Sequence, residues 1–211
     1  MENFIVKFRN LGFLLLFFSC DGQSQKTNSV DIAGDYDNIL HIAISEKDSR
    51  LSGFISYAPY ENDPKLIQIE CKIFFEATFN KNLKNDYLNI NIYSLNTDSF
   101  YKKEGEIKID SNKIFLKIKN NIPSCSSVLD FTDKKGALFY LTKKVRYNNF
   151  NFIKTDKAII YQKPEDGYKT KKYLIKGDVV NVLKSEGEFI LVEFYGQKVT
   201  KGWIHSNELF F

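Results

Sequence analysis

The sequence is poor in the residues that most catalytic chemistry needs. Its 211 residues include two histidines, three cysteines, one methionine, one tryptophan and four prolines. His41 and His205 stand far apart in the chain and have no evident partner. They point neither to a metal site nor to a Cys–His or Ser–His nucleophilic pair. G-x-S-x-G, H-E-x-x-H, C-x-x-C and Gly-rich phosphate loops are absent. Carboxylate-only chemistry stays open, since any two acids can meet in space. No catalytic residue, metal ligand or cofactor is therefore assigned. No block of like charge interrupts the interspersed Lys and Asp/Glu, and the net charge is only +4. A nucleic-acid partner is not expected. No stretch holds a helical period over about ten residues, which excludes a helical protein. No apolar run approaches the ~20 residues of a spanning helix.

Aromatics are plentiful instead, with nineteen Phe and twelve Tyr, while Asn and Lys fill polar positions. That mixture suits β-structure. Between residues 31 and 146 short strand-like runs follow one another, seven or so in number: "NILHIAIS", "RLSGFISY", "LIQIECKIFFE", "YLNINIY", "GEIKID", "NKIFLKIK" and "ALFYLTKK". Most alternate on one side. Leu88, Ile90 and Ile92 share a face, as do Ile114, Leu116 and Ile118. Asp110-Ser111-Asn112 supplies tight-turn chemistry. One-sided alternation across antiparallel strands predicts an all-β barrel or sandwich. His41 falls opposite Leu40 and Ile42 and is expected to face solvent.

The N-terminus begins with Lys7 and Arg9, then "LGFLLLFF", then Ser19-Cys20. This is the pattern of a secretory signal rather than of a membrane span. Its ending resembles a bacterial lipoprotein signal. The resemblance implies a signal peptide over 1–19 and a lipidated Cys20. Residues 20–30, including "DGQSQKTNS", would then be a flexible tether, and ~10 such residues average about 18 Å end to end. Phe17 and Phe18 depart from the usual Leu and small residue before the cysteine, so an ordinary buried or free Cys20 remains the alternative. The implied location is the cell envelope, facing the periplasm or the cell surface. Contact with the membrane would be through the lipid alone.

If Cys20 carries lipid, Cys71 and Cys125 remain as an even pair outside the cytoplasm. A disulfide is the simplest expectation, and two separate buried thiols the alternative. In "LIQIECKIFFE" the residues Ile67, Ile69, Cys71, Ile73 and Phe75 share one face, which turns Cys71 inward. The start of the region, "DIAGDYDNI", resembles the Gly-x-aromatic entry of lipocalin-like barrels through Gly34 and Tyr36, without the usual Trp. After it, "VRYNNFNF" reads as a short, fairly rigid link.

From residue 152 to 211 the chain resembles a bacterial SH3-like (SH3b) domain. The matching pieces are a strand "KAIIYQKP", a loop "EDGYKTKKY", a turn at Gly177-Asp178 into "DVVNVLKSEGEF", a strand "ILVEFYG" and a closing "TKGWIHSNEL" with a short helical turn. The resemblance implies a small barrel. It also places the only tryptophan, Trp203, either in the core or beside a ligand groove with Tyr161, Tyr168 and Tyr173. A groove of that kind would bind a peptidoglycan peptide or an envelope protein. The functional expectation is non-enzymatic binding in the cell envelope. The alternatives are an immunity or hydrolase-inhibitor lipoprotein, and a lipocalin-like carrier with an apolar cavity in residues 31–146.

Overall fold

The computed structural model describes residues 32–57, 71–79, 87–95, 102–120, 122, 125, 129–196 and 198–211. Residues 1–31, where the signal, the lipidated Cys20 and the tether are expected, lie outside the described residues, as do residues 58–70, which hold the first part of the Cys71 run. The first eight strands are β1 (Gly34–Tyr36), β2 (Leu40–Ser45), β3 (Arg50–Tyr57), β4 (Cys71–Thr78), β5 (Tyr87–Ser94), β6 (Lys102–Asp110), β7 (Lys113–Ile118) and β8 (Ala137–Lys144). Each pairs antiparallel with the next, and β1 pairs with β8, so the sheet closes into a barrel. Of the expected barrel or sandwich, the barrel is what forms.

The closing strand is the one that pattern reading passed over. β1 has three residues, too few for alternation to be visible. Its register with β8 runs Gly34 to Lys144 and Tyr36 to Leu141, with a bulge between Asp35 and Tyr36. Gly34 and Tyr36 of the Gly-x-aromatic entry are thus the ends of the strand that seals the barrel. The turn after β6 has Ser111 in the left-handed region, at φ 56°.

Alternation decides what lies inside. Ile73, Phe75, Ile90, Ile92, Ile107, Ile114, Leu116 and Phe139 are buried in a single apolar cluster. An eight-stranded barrel is just wide enough for such side chains to fill it. Cys71 and Cys125 belong to the same cluster and are joined, so the disulfide alternative holds over separate thiols.

Six more strands form a second antiparallel sheet: β9 (Phe150–Phe152), β10 (Ala158–Tyr161), β11 (Lys169–Leu174), β12 (Val179–Glu186), β13 (Phe189–Tyr195) and β14 (Val199–His205). Their order is β11-β10-β14-β13-β12-β9. β11 and β9 are its edges, so this sheet is open where a small closed barrel was expected. The run 165–173, read as a loop, is a 3-10 turn at Asp166–Tyr168 followed directly by β11. Ile153, Ala158, Ile160, Leu174, Val180, Val192, Ile204 and Leu209 make its core. Gly177, at φ 85°, turns the chain into β12, and the Asp178 carboxylate accepts from the Ile175 amide at 2.9 Å.

The link between the sheets is anchored by its aromatic residues, while Arg146 and Asn148 are exposed. β9 pairs with β12, while Phe150, Phe152 and Tyr147 join Ala43, Phe74, Tyr93 and Leu95 from the barrel's outer wall. Phe152 stacks on Phe210 at 4.5 Å and meets Phe74 edge-on at 5.2 Å. Arg50, ion-paired with Glu76 at 2.7 Å, lies over the Phe211 ring. Ser52 Oγ accepts from the Phe150 amide at 2.8 Å, and Tyr147 donates to Asp35 at 2.9 Å.

Two consequences can be measured. The disulfide closes a loop with a sequence separation of 54. In the chain-entropy model its removal lowers the unfolding free energy by about 4 kcal/mol. Denaturant unfolding of the Cys71→Ala/Cys125→Ala protein measures this, and an unchanged stability would show that the cross-link constrains nothing.

The second concerns alkali. Burial, reinforced by the Asp35 carboxylate, holds the Tyr147 phenol well above the ordinary tyrosine range. Burial, then the charge of Glu76, pushes Tyr93 up to about 12. Both phenols keep their protons more tightly folded than unfolded. Their contribution is complete below the unfolded value of about 10 and is lost as pH climbs through the raised folded values. Ultraviolet titration should find these tyrosines ionising together with loss of structure. Ionisation of every tyrosine near pH 10 in the folded protein would contradict this.

Candidate functional site

The second sheet has two faces, set by register. Gly202 and Ile204 of β14 turn toward the core, which leaves Trp203 and His205 on the opposite face. Trp203 pairs with Tyr161 on one side and Leu191 on the other, and His205 pairs with Phe189. Ile159, two residues before Tyr161, pairs with Tyr173. A row of aromatic and aliphatic side chains therefore crosses four strands on one face. Tyr161, Phe189 and Trp203 form its buried heart, with Ile159 and Leu191 against them.

The close approach of β10 and β14 depends on Gly202. A Cβ there would stand 2.3 Å from Ile160 Cγ2, a distance real atoms do not adopt. Tyr161 meets Phe189 edge-on at 5.2 Å, and the His205 ring lies 4.2 Å from Phe189. His205 Nε2 is 3.1 Å from an Asp166 carboxylate oxygen, which ties the 3-10 turn to β14. Lysines cover the rings: Lys184 over Trp203 at 4.7 Å, Lys163 over Tyr168 and Lys157 over Tyr173 both at 4.4 Å. Ammonium groups placed so are weak and exchangeable partners of a ring face.

Of the four residues singled out in the sequence, Tyr161 and Trp203 are in one cluster. Trp203 is 7% exposed, yet it is separate from the sheet's main core. Tyr173 is on the same face and is 51% exposed. Tyr168 ends the 3-10 turn at 37% exposed. Among the described residues no ring contact joins Tyr168 or Tyr173 to Trp203. Phe189, His205 and Asp166 were missed, although alternation from Trp203 puts His205 on its face. Asp166 came from a fold contact with no local signal.

His41 requires a correction. It does not face open solvent. Its ring stacks on Phe54 at 4.5 Å, meets Tyr147 edge-on, and Nδ1 lies 2.7 Å from Asp35. The outward side of β2 is where the link packs, so an outward residue there is covered. Among the described residues no group of three His, Cys, Asp or Glu is arranged to hold a metal ion. The aromatic face offers ring surfaces, a His–Asp pair and ammonium groups over the rings. These suit recognition of a partly apolar, hydrogen-bonding ligand.

No family model, curated protein or solved structure matches the chain.

Proposed function

We propose that the protein is a lipid-anchored component of a bacterial cell envelope whose second sheet is an SH3b-type module binding a cell-wall peptide or an envelope protein without catalysis. The observation that carries this reading is the aromatic face centred on Trp203, Tyr161 and Phe189, flanked by exposed Tyr173 and Tyr168. Further support comes from the order of β10 to β14 and from the 3-10 turn at Ser206–Glu208, which follow the pieces of the SH3b resemblance. Among the described residues the inward side chains of the barrel are gathered in one buried cluster, which favours a ligand met on the second sheet over the carrier reading. On this reading the barrel is a rigid support and the ligand is met on the second sheet.

Two experiments test the proposal. Titration with muropeptides and with envelope extract should show binding by the wild type. Trp203→Phe and Tyr173→Ala should each bind more weakly while keeping the thermal midpoint, since one changes the ring and the other removes a half-exposed one. Equal binding by all three proteins would assign the aromatic face to packing alone. The anchor is tested apart from the ligand. Wild type should enter the detergent phase on phase partitioning, and Cys20→Ala should stay in the aqueous phase. Equal partitioning would remove the lipid from the proposal and leave the binding face untouched.

A further inference from the structure

The open edge of the second sheet carries a separate site. β11 pairs with β10 on one side only. Beside it is a surface concavity of about 280 Å³, floored by Ile160, Leu174 and Phe194. These residues belong to or pack on the sheet's core, so the core is reachable from outside at this seam. The volume suits one or two aliphatic side chains rather than a large small-molecule ligand. Lys171 and Lys172 rim it, both exposed, and among the described residues neither has an acidic partner. The one carboxylate at the rim, Asp178, is engaged by the Ile175 amide.

We propose that this edge accepts an extended acidic peptide segment, which adds as a further strand along β11. The added strand would use its backbone to pair with the edge, place aliphatic side chains on the face of Ile160, Leu174 and Phe194, and set its carboxylates on the opposite face beside Lys171, with Lys172 at the rim of the concavity. Main-chain pairing gives such an addition its affinity, and alternate side chains give it selectivity. Edge lysines normally repel other strands, because pairing would bring their charges together or bury them. A strand bearing carboxylates reverses that repulsion, so the same lysines that exclude most strands admit this one. The site is on the core side of the sheet's open seam. Tyr173 borders both this concavity and the aromatic face, but the site does not rest on Trp203 or on the SH3b reading.

The test uses the full chain and a capped peptide of alternating Glu and Leu matched to the six residues of β11. Two controls are the Lys-for-Glu counterpart and a version N-methylated at alternate amides. Calorimetric titration should detect the acidic peptide and not the basic one. N-methylation should abolish binding, and Lys171→Glu with Lys172→Glu should weaken it at least about tenfold. Amide resonances over 169–174 should shift. Trp203→Phe should bind this peptide as wild type does, which distinguishes the edge from the aromatic face. Absence of binding would overturn the proposal. So would equal binding by the N-methylated peptide or by the double Lys variant, or loss of binding in Trp203→Phe.

Discussion

The packing of one three-residue strand against the barrel wall is the interaction on which the rest depends. β9 pairs with β12 along its backbone while Phe150 and Phe152 bury their rings among barrel residues. Backbone and side chains thus serve two different bodies at once. Phe74, which points out of the barrel, would otherwise be a large exposed ring, but Phe152 and Phe211 cover it. Apolar area of this kind contributes roughly 25 cal/mol per Å² removed from water. Three aromatic side chains therefore outweigh the modest hydrogen bonds around Asp35 and Ser52. Those bonds set the angle at which the rings meet.

Much of the barrel was legible because its strands are covered on one side by core. Ile114, Leu116 and Ile118 alternate with polar neighbours, and all three are buried. The closing strand was invisible because three residues carry no period. Phe54 and Phe74 stand on the otherwise polar outward faces of their strands, and the docked link is what covers them. His41 misled because its face was read correctly while its cover, Phe54 of the neighbouring strand and Tyr147 of the link, comes from the fold. In the second sheet the turns at Gly177 and Gly187 were readable from composition, with φ 85° and 58°. The openness of the sheet was not, since closure depends on which edges meet and not on any single run.

The tryptophan is a case of partial legibility. Its neighbours in sequence, Gly202 and Ile204, serve the core. Trp203 itself lies on the other face, buried against Tyr161 and Phe189 rather than in the main core. Neither pure core nor open groove describes it. Its ring is mostly covered on its own side and carries the Lys184 ammonium group over its outer surface.

The three-residue strand β1 also sets an order of events during folding. Its partner β8 is emitted near the end of the barrel sequence, so closure is a contact of long sequence separation. Until β8 arrives, the sheet has two free edges. Until β9 follows, Phe54 and Phe74 face water. Were the strands to associate in chain order, an unclosed sheet and a bare aromatic wall would coexist before β9 docks, and species of that kind are prone to association. The short distance in sequence from β8 to β9 limits how long that stage lasts: once the barrel is sealed, the strand that shields its wall is the next to emerge.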